Sequence, residues 1–266
     1  MKTSLSIFLI TLLIVACSKQ QTEVKEVTAA PEKAIPEYPT LLADALTAHG
    51  GIDTWQKFGT LEYNLKKTDF SEYQLIDLNT RNTLLITDKY KLGFDGENAW
   101  VTPSKEVFGR SSIRFYHNLY FYFFAFPFVL ADEGIAYEEL PAETVEGVTY
   151  DVLKIGYGDN IGDSPDDNYI CYFDQNTKQL KFIRYTVTYF SKEQSEKYNA
   201  LKYVEWQGVN GLMVPKRMDS YRWTDGTFGE QRGSTSFENV VFTEDAPPAT
   251  AFQMPAGAQV DEEPTQ

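Results

Sequence analysis

The chain has 266 residues, two cysteines, two histidines and a formal charge of −14. That length is enough for one large domain with a full core. The acidic balance argues against a broad basic face for nucleic acid or anionic membranes, and two histidines are too few for a multi-histidine metal site.

The chain starts with one charge, Lys2, followed by an apolar run Leu5–Ile14 and then Ile14-Val15-Ala16-Cys17. The run is too short to span a bilayer by itself. This segment resembles a bacterial lipoprotein signal peptide, with Ile-Val-Ala-Cys as the lipobox. The resemblance implies a diacylglyceryl group on the Cys17 thiol and cleavage before Cys17, leaving a chain of charge about −15 once Lys2 is lost. Acyl chains contribute about 0.8 kcal/mol per buried methylene, so two or more give a stable membrane anchor. Ser18 stands where an aspartate is the usual inner-membrane retention signal, so the expected address is the outer membrane, in either leaflet. An ordinary cleaved signal with a chance cysteine, or an uncleaved anchor, are the other readings.

Residues 17–38 read as the lipidated cysteine and a tether rich in charge, Ala and Gln, with two prolines and no apolar period. Such a coil averages roughly 25 Å end to end. Residues 39–260 read as one domain and 261–266 as an acidic tail. In the domain, Thr40–His49 carries Leu41, Leu42, Ala45 and Leu46 on one helical side, and Gly50-Gly51 stops it. His49 is expected at the helix C-terminus, where a proton would suit the dipole. Asp53 can cap a following turn with Trp55 and Phe58.

Strand patterns then dominate. Leu84, Ile86, Tyr90, Leu92 and Phe94 share one parity, which predicts one half-buried strand ending at Asp95-Gly96. Ile183, Tyr185, Val187 and Tyr189 predict another, opposite Arg184, Thr186 and Thr188, after the turn Asp174–Thr177. Asn210-Gly211 joins Leu201–Val209 to Leu212–Trp223, and Asp225-Gly226 leads into Phe228–Phe242. Short turns between long strands mean antiparallel neighbours. Cys171, in Tyr169–Phe173, reads as a buried strand cysteine.

One segment departs from this pattern. Ser112–Ala125 reads as a helix with two aromatic stripes, one of Ile113, Tyr116, Tyr120 and Phe123, the other of Phe115, Leu119, Tyr122 and Phe126. Arg114, His117, Asn118 and Phe121 form its more polar side, and Pro127 ends or kinks it. A helix this apolar must be covered on most of its circumference. With His117 and Asn118 inside it, it is too interrupted to span a membrane.

A lipidated chain with a helix ending Ala48-His49-Gly50-Gly51, Trp55 shortly after, and then a β-meander resembles bacterial proteins of the lipoprotein-localisation (Lol carrier-like) fold. Tyr172-Phe173-Asp174 with Thr177 and Leu180, Gly211-Leu212-Met213-Val214-Pro215 and Phe252–Ala258 are similar to three further pieces of that family. The resemblance covers roughly residues 40–260. It implies a mainly β fold: a curved antiparallel sheet, or incomplete β-barrel, with helices covering its concave face. It also implies a space between sheet and helices for an acyl chain or another apolar molecule.

The candidate ligand-binding residues are Trp100 and, in the helical cover, Phe115, Tyr116, Leu119, Tyr120, Phe123 and Phe124; the candidate lipid-attachment residue is Cys17. Burying one such apolar side chain contributes roughly 1.5–3 kcal/mol, so the cover would also close well without ligand. The sequence contains no Gly-x-Ser-x-Gly elbow, phosphate loop or paired-cysteine motif. Binding rather than catalysis is therefore expected, with no cofactor and no metal. The acidic run Asp159–Asn168 offers oxygen ligands for calcium without the spacing of a calcium loop, and a solvated turn is the plainer reading. The expected partners are the membrane through the anchor and an apolar small molecule or lipid, and not nucleic acid. Two rivals stand beside this reading. One is a surface glycan-binding lipoprotein using exposed Trp100, Trp206 or Trp223; the other is a partner-binding envelope scaffold with a filled core.

Overall fold

The computed structural model describes residues 38–157, 167–191, 195 and 197–261. Cys17 with its signal and tether, most of the acidic run 159–168, and the tail beyond Asp261 lie outside the described residues.

The domain begins with α1 (Thr40–Ala48), whose Leu42, Ala45 and Leu46 recur at helical spacing and are all buried. After Gly50-Gly51 comes the single turn α2 (Ile52–Trp55). Five strands follow: β1 (Thr60–Lys67), β2 (Phe70–Asp77), β3 (Thr83–Ile86), β4 (Lys91–Phe94) and β5 (Ala99–Thr102). A helical insert then carries α3 (Lys105–Phe108), α4 (Ile113–Tyr116), α5 (Leu119–Ala125) and a 3-10 turn, Phe128–Ala131. The chain returns to sheet in β6 (Ile135–Val145), β7 (Val148–Tyr157), β8 (Tyr169–Asp174) and β9 (Leu180–Tyr185). The long strands β10 (Asn199–Val209), β11 (Leu212–Thr224) and β12 (Thr227–Thr243) come next, and β13 (Gln259–Val260) closes the described chain.

The described strands make one antiparallel sheet of 13 strands in the order β13-β5-β4-β3-β2-β1-β12-β11-β10-β9-β8-β7-β6. The end strands β13 and β6 do not pair with each other, so the sheet is open. It is also curved. Rings from β1 (Tyr63), β9 (Tyr185) and β8 (Tyr169) meet Phe124, Phe123 and Phe126 beside one another at the end of α5. In a flat sheet β1 and β8, five places apart, would be separated by about 24 Å. The core lies on the concave face, where Leu61, Leu65, Phe173, Ile183, Val214 and Phe237 pack under α1, α2 and α5. A separate cluster of Leu85, Leu92, Val101, Phe108, Ile113 and Tyr116 joins β3–β5 to α3 and α4.

Two predicted strands are shorter than their periodicity suggests. The run from Leu84 to Phe94 is a hairpin, with Leu85 opposite Leu92 and both buried. Thr87 Oγ1 accepts from the Lys89 and Tyr90 amides and closes the turn. Leu84 and Ile86 are half-buried on the other face, while Phe94 shares the face of Leu92 and packs against the same cluster. Likewise β9 ends at Tyr185. Beyond it Thr186 and Thr188 are buried, and Asp167 Oδ1 accepts from the Thr188 amide and hydroxyl at 2.6 and 2.9 Å. That local carboxylate competes successfully with the ladder.

The Ala48–Gly51 motif meets two of the three other pieces of the sequence resemblance in space. His49 is fully buried. Its Nδ1 donates to the Met213 carbonyl at 2.9 Å, and its Nε2 accepts from the Leu180 amide at 3.1 Å. A carbonyl can only accept and an amide can only donate, so the ring is neutral with its proton on Nδ1. The Met213 amide in turn donates to the His49 carbonyl at 2.9 Å. Leu180 is presented by the tight β8–β9 turn, in which Asp174 Oδ1 accepts from the Asn176 and Thr177 amides. Met213 follows the Asn210-Gly211 turn of the β10–β11 hairpin. At Gly50, with φ of +106°, a Cβ would stand 2.3 Å from the Gly211 carbonyl oxygen, so only glycine fits. The expected dipole-favoured proton on His49 is thus corrected: both ring nitrogens are engaged in the neutral state. Burial holds its pKa down at about 4 against a weaker upward pull from the Met213 carbonyl.

This makes stability pH-dependent with a definite sign. The unfolded chain protonates His49 near 6.5, whereas the folded state refuses the proton until about 4. Stability is therefore complete above about 6.5 and falls as pH drops through that window, by about 3 kcal/mol at most. His117, buried with Arg114 nearby and held down at about 3, acts in the same sense. Urea unfolding between pH 4 and 7 should show this loss. The His49→Ala variant should be less stable by about 2–4 kcal/mol at pH 7, because it orphans the Leu180 amide and the Met213 carbonyl, and its pH slope should be shallower.

Candidate functional site

The helical insert forms a cover over the concave face, and its ends are held by capping. Ser104 caps α3, and Gly109 in the left-handed region ends it. Ser112 caps α4 by accepting from the Phe115 amide at 3.0 Å. Asp261 adds a second cap from the far end of the chain. Its Oδ2 accepts from the Ser112 hydroxyl at 2.8 Å, the Arg114 amide at 3.1 Å and the Ile113 amide, while Lys105 Nζ lies 3.3 Å from Oδ1. Burial alone would raise the Asp261 pKa, but these donors outweigh it and hold the carboxyl below its ordinary value.

The predicted single helix over Ser112–Ala125 is two helices, broken at His117–Asn118. The break lets the His117 ring enter the sheet, with Nδ1 3.2 Å from Thr83 Oγ1 and the ring stacked on Phe94 at 4.5 Å. The side expected to be polar is thereby corrected, since His117 and Phe121 are both buried. At the end of α5, Tyr203 donates to the Phe123 carbonyl at 2.8 Å.

Six of the seven candidate residues of the ligand site gather in this cover. Phe124 is fully buried, stacked on Tyr63 at 4.9 Å and edge-on to Phe237 at 4.9 Å. Phe123 meets Tyr185 at 5.0 Å, and Tyr116 meets Tyr120 at 5.8 Å and Phe108 at 5.4 Å. Leu119 and Tyr120 are half-buried where the two core clusters meet. Phe115 sits on the rim, against Tyr189 and the exposed Phe190 at 5.1 Å each. Trp100 stands apart. Its strand neighbours Ala99 and Val101 face α4, so Trp100 points to the opposite face, over Gly93, and donates to the Phe252 carbonyl at 3.0 Å. The tryptophans required by the glycan reading are not exposed platforms: Trp100 is buried, while Trp206 and Trp223 are half-buried. Trp206 is stacked on Tyr203 and edge-on to His49, and Trp223 packs with Phe182 and Phe228.

Sequence reasoning missed the group at the centre of this region. On β2, Phe70, Glu72, Gln74 and Ile76 share the inward parity, and Glu72 is fully buried. Gln74 Nε2 donates to Glu72 Oε1 at 2.7 Å, and Tyr90 Oη donates to Oε2 at 2.9 Å. Tyr116 Oη, from the cover, donates to Oε1 at 3.4 Å. Tyr63 in turn donates to Gln74 Oε1 at 2.6 Å. Among the described residues no ion-pair partner faces Glu72. Arg110 lies outside, over the Tyr116 ring at 4.3 Å and the Phe70 ring at 5.5 Å. Lys67 bonds the Tyr120 hydroxyl and lies over its ring. Burial raises the Glu72 pKa, opposed by the bonds from Gln74 and Tyr90, the Arg110 charge and the Tyr116 bond. The alternation of β2 carried the signal, but an acidic residue in a strand reads as solvent-facing until its neighbours are known. An open groove of about 700 Å³ lies outside the cover, at the tip and outer face of the β1–β2 hairpin, beside Asn64, Lys66, Tyr73 and Ile86.

No protein-family model matches the chain, and no curated protein matches it. Among solved structures, it is similar to a LolA superfamily protein from Nitrosomonas europaea, at 12% identity over 79% of this chain and 97% of that one, with a TM-score of 0.47. A DUF1329 family protein from Desulfovibrio piger is similar at 10% identity over 80% and 98%, with a TM-score of 0.46. An outer membrane lipoprotein-sorting protein domain from Vibrio parahaemolyticus is similar at 13% identity over 72% and 90%, with a TM-score of 0.32. Likenesses this distant specify neither ligand nor activity. The strand order shows an open antiparallel sheet with helices on its inner face, the mainly β architecture expected from the sequence.

The Asp261 cap gives a direct test of how the cover is held. Asp261→Ala should lower stability by about 1–2 kcal/mol in urea unfolding, as expected for losing a cap. The unfolded chain protonates this carboxyl first as pH falls, so its contribution is present above about 4 and lost as pH falls through the lower folded pKa. The difference between variant and parent should therefore be constant from pH 5 to 8.

Proposed function

We propose that the chain is a lipid-anchored protein of the cell envelope, held at the outer membrane through Cys17, whose domain takes up an apolar ligand, a lipid or acyl chain, between the concave sheet and the helical cover. One observation carries this reading. The inner space is occupied by rings of a short, broken cover that is secured by side-chain packing and a few terminal hydrogen bonds rather than by strand pairing. An acyl chain can take the place of Phe123 and Phe124 if the cover swings outward, because rings and methylenes satisfy the same apolar surface. The role is binding, not catalysis. The two histidines are buried, neutral and structurally engaged, which leaves no imidazole to activate a nucleophile.

The same packing favours a second reading, a partner-binding scaffold whose core stays filled. Native mass spectrometry separates the two. Delipidated mature protein, incubated with an envelope lipid extract and exchanged into volatile buffer, should retain one acyl lipid per chain. Folded protein that retains none would leave the scaffold reading in place and remove the first.

A further inference from the structure

We propose that Glu72 selects the head of the bound amphiphile, favouring an acyl lipid whose head donates hydrogen bonds and bears no negative charge. This inference rests on the ligand-binding reading above and extends it from an apolar chain to a chain with a defined polar end.

The donors to Glu72 belong to different parts of the domain. Glu72 lies where the two apolar clusters meet, beneath Tyr116 and beside Tyr90 and Gln74. Gln74 belongs to β2 itself, and Tyr90 is fixed in the β3–β4 turn by the Thr87 hydroxyl. Both stay with the sheet when the cover moves. Tyr116 is the exception: it belongs to α4 and leaves with the cover. Its departure strips one donor from Oε1 and leaves a carboxylate oxygen facing the apolar space just vacated. An acceptor in that position needs a replacement donor. A hydroxyl or amine on the ligand head supplies one at the place where Tyr116 Oη stood. A carboxylate or phosphate head supplies none and meets a like-charged group in a poorly screened interior. A bare ester supplies no donor and leaves Oε1 with the Gln74 bond alone. Glu72 has no ion-pair partner among the described residues, and Arg110, whose charge acts on it from outside, sits on the Tyr116 ring in the segment of the cover.

The test compares three ligands of one chain length on the full mature protein: monopalmitoylglycerol, palmitate and methyl palmitate, each titrated at pH 8 and read by native mass spectrometry. Monopalmitoylglycerol should be retained at least tenfold better than either of the others. In the Glu72→Gln variant, which supplies its own donor and carries no charge, the preference over palmitate should shrink to less than threefold. Equal retention of all three ligands by the parent protein would overturn the selectivity while leaving lipid binding intact. Retention of none would overturn the ligand-binding reading and this inference together. If Glu72→Gln does not fold, the parent comparison alone decides.

Discussion

The domain depends on one buried imidazole. His49 ends α1 and occupies a site that neither hairpin turn could satisfy alone, taking the Leu180 amide on one nitrogen and giving its proton to the Met213 carbonyl with the other. The backbone bond from Met213 back to His49 completes a small ladder between helix and hairpin. With Gly50 pressed on Gly211, the first helix is locked against two hairpins far away in sequence. Trp206 and Phe128 pack on the same ring, so the lock reaches both β10 and the end of the helical insert. A charged imidazole cannot make this arrangement, because its second nitrogen would donate toward an amide that also donates.

This anchoring lets the two ends of the inner face differ in character. Near α1, the concave surface is apolar and tightly filled, and the His49 ring within it has both nitrogens paired. Near α4 the interior contains a carboxylate, a carboxamide and three phenols, one of which belongs to the cover. Burying an acid without a cation is costly unless hydrogen bonds compensate. That cost is met beneath the cover, whose first helix is held at its end by Ser112, Asp261 and the Phe115–Tyr189–Phe190 rings. The proposed opening requires a stable sheet beneath a less stable cover, the usual distribution where a segment has to move.

Sequence patterns revealed the elements whose signals are local. The Asn210-Gly211 and Asp225-Gly226 turns, the Gly50-Gly51 stop and the antiparallel class all follow from backbone preferences of a few residues. Alternation misled at Leu84–Phe94, where the apolar residues keep one parity in sequence but the four-residue turn pairs Leu85 with Leu92 and so places the even positions of β3 and β4 on opposite faces. It misled again after Tyr185, where Asp167 captures the Thr188 amide and ends the strand. The aromatic cover was recognisable by composition, but its break was not, because the partner of His117 is Thr83 in a distant strand. Glu72 was missed for the same reason: its burial is set by Tyr90 and Tyr116, and no local pattern reports them. Trp100, expected among the ligand-binding residues, is placed by strand parity on the other face.

The account holds that the cover opens while the sheet stays folded. Hydrogen–deuterium exchange, resolved by segment on the intact mature protein, tests this most directly. The amides of 112–131 should exchange at least a hundredfold faster than those of β1, β10 and β11, and lipid extract should change the rates in the cover alone. Exchange of the cover at the same slow rate as these central strands, with and without lipid, would mean that it opens only when the whole domain unfolds, and would contradict the account.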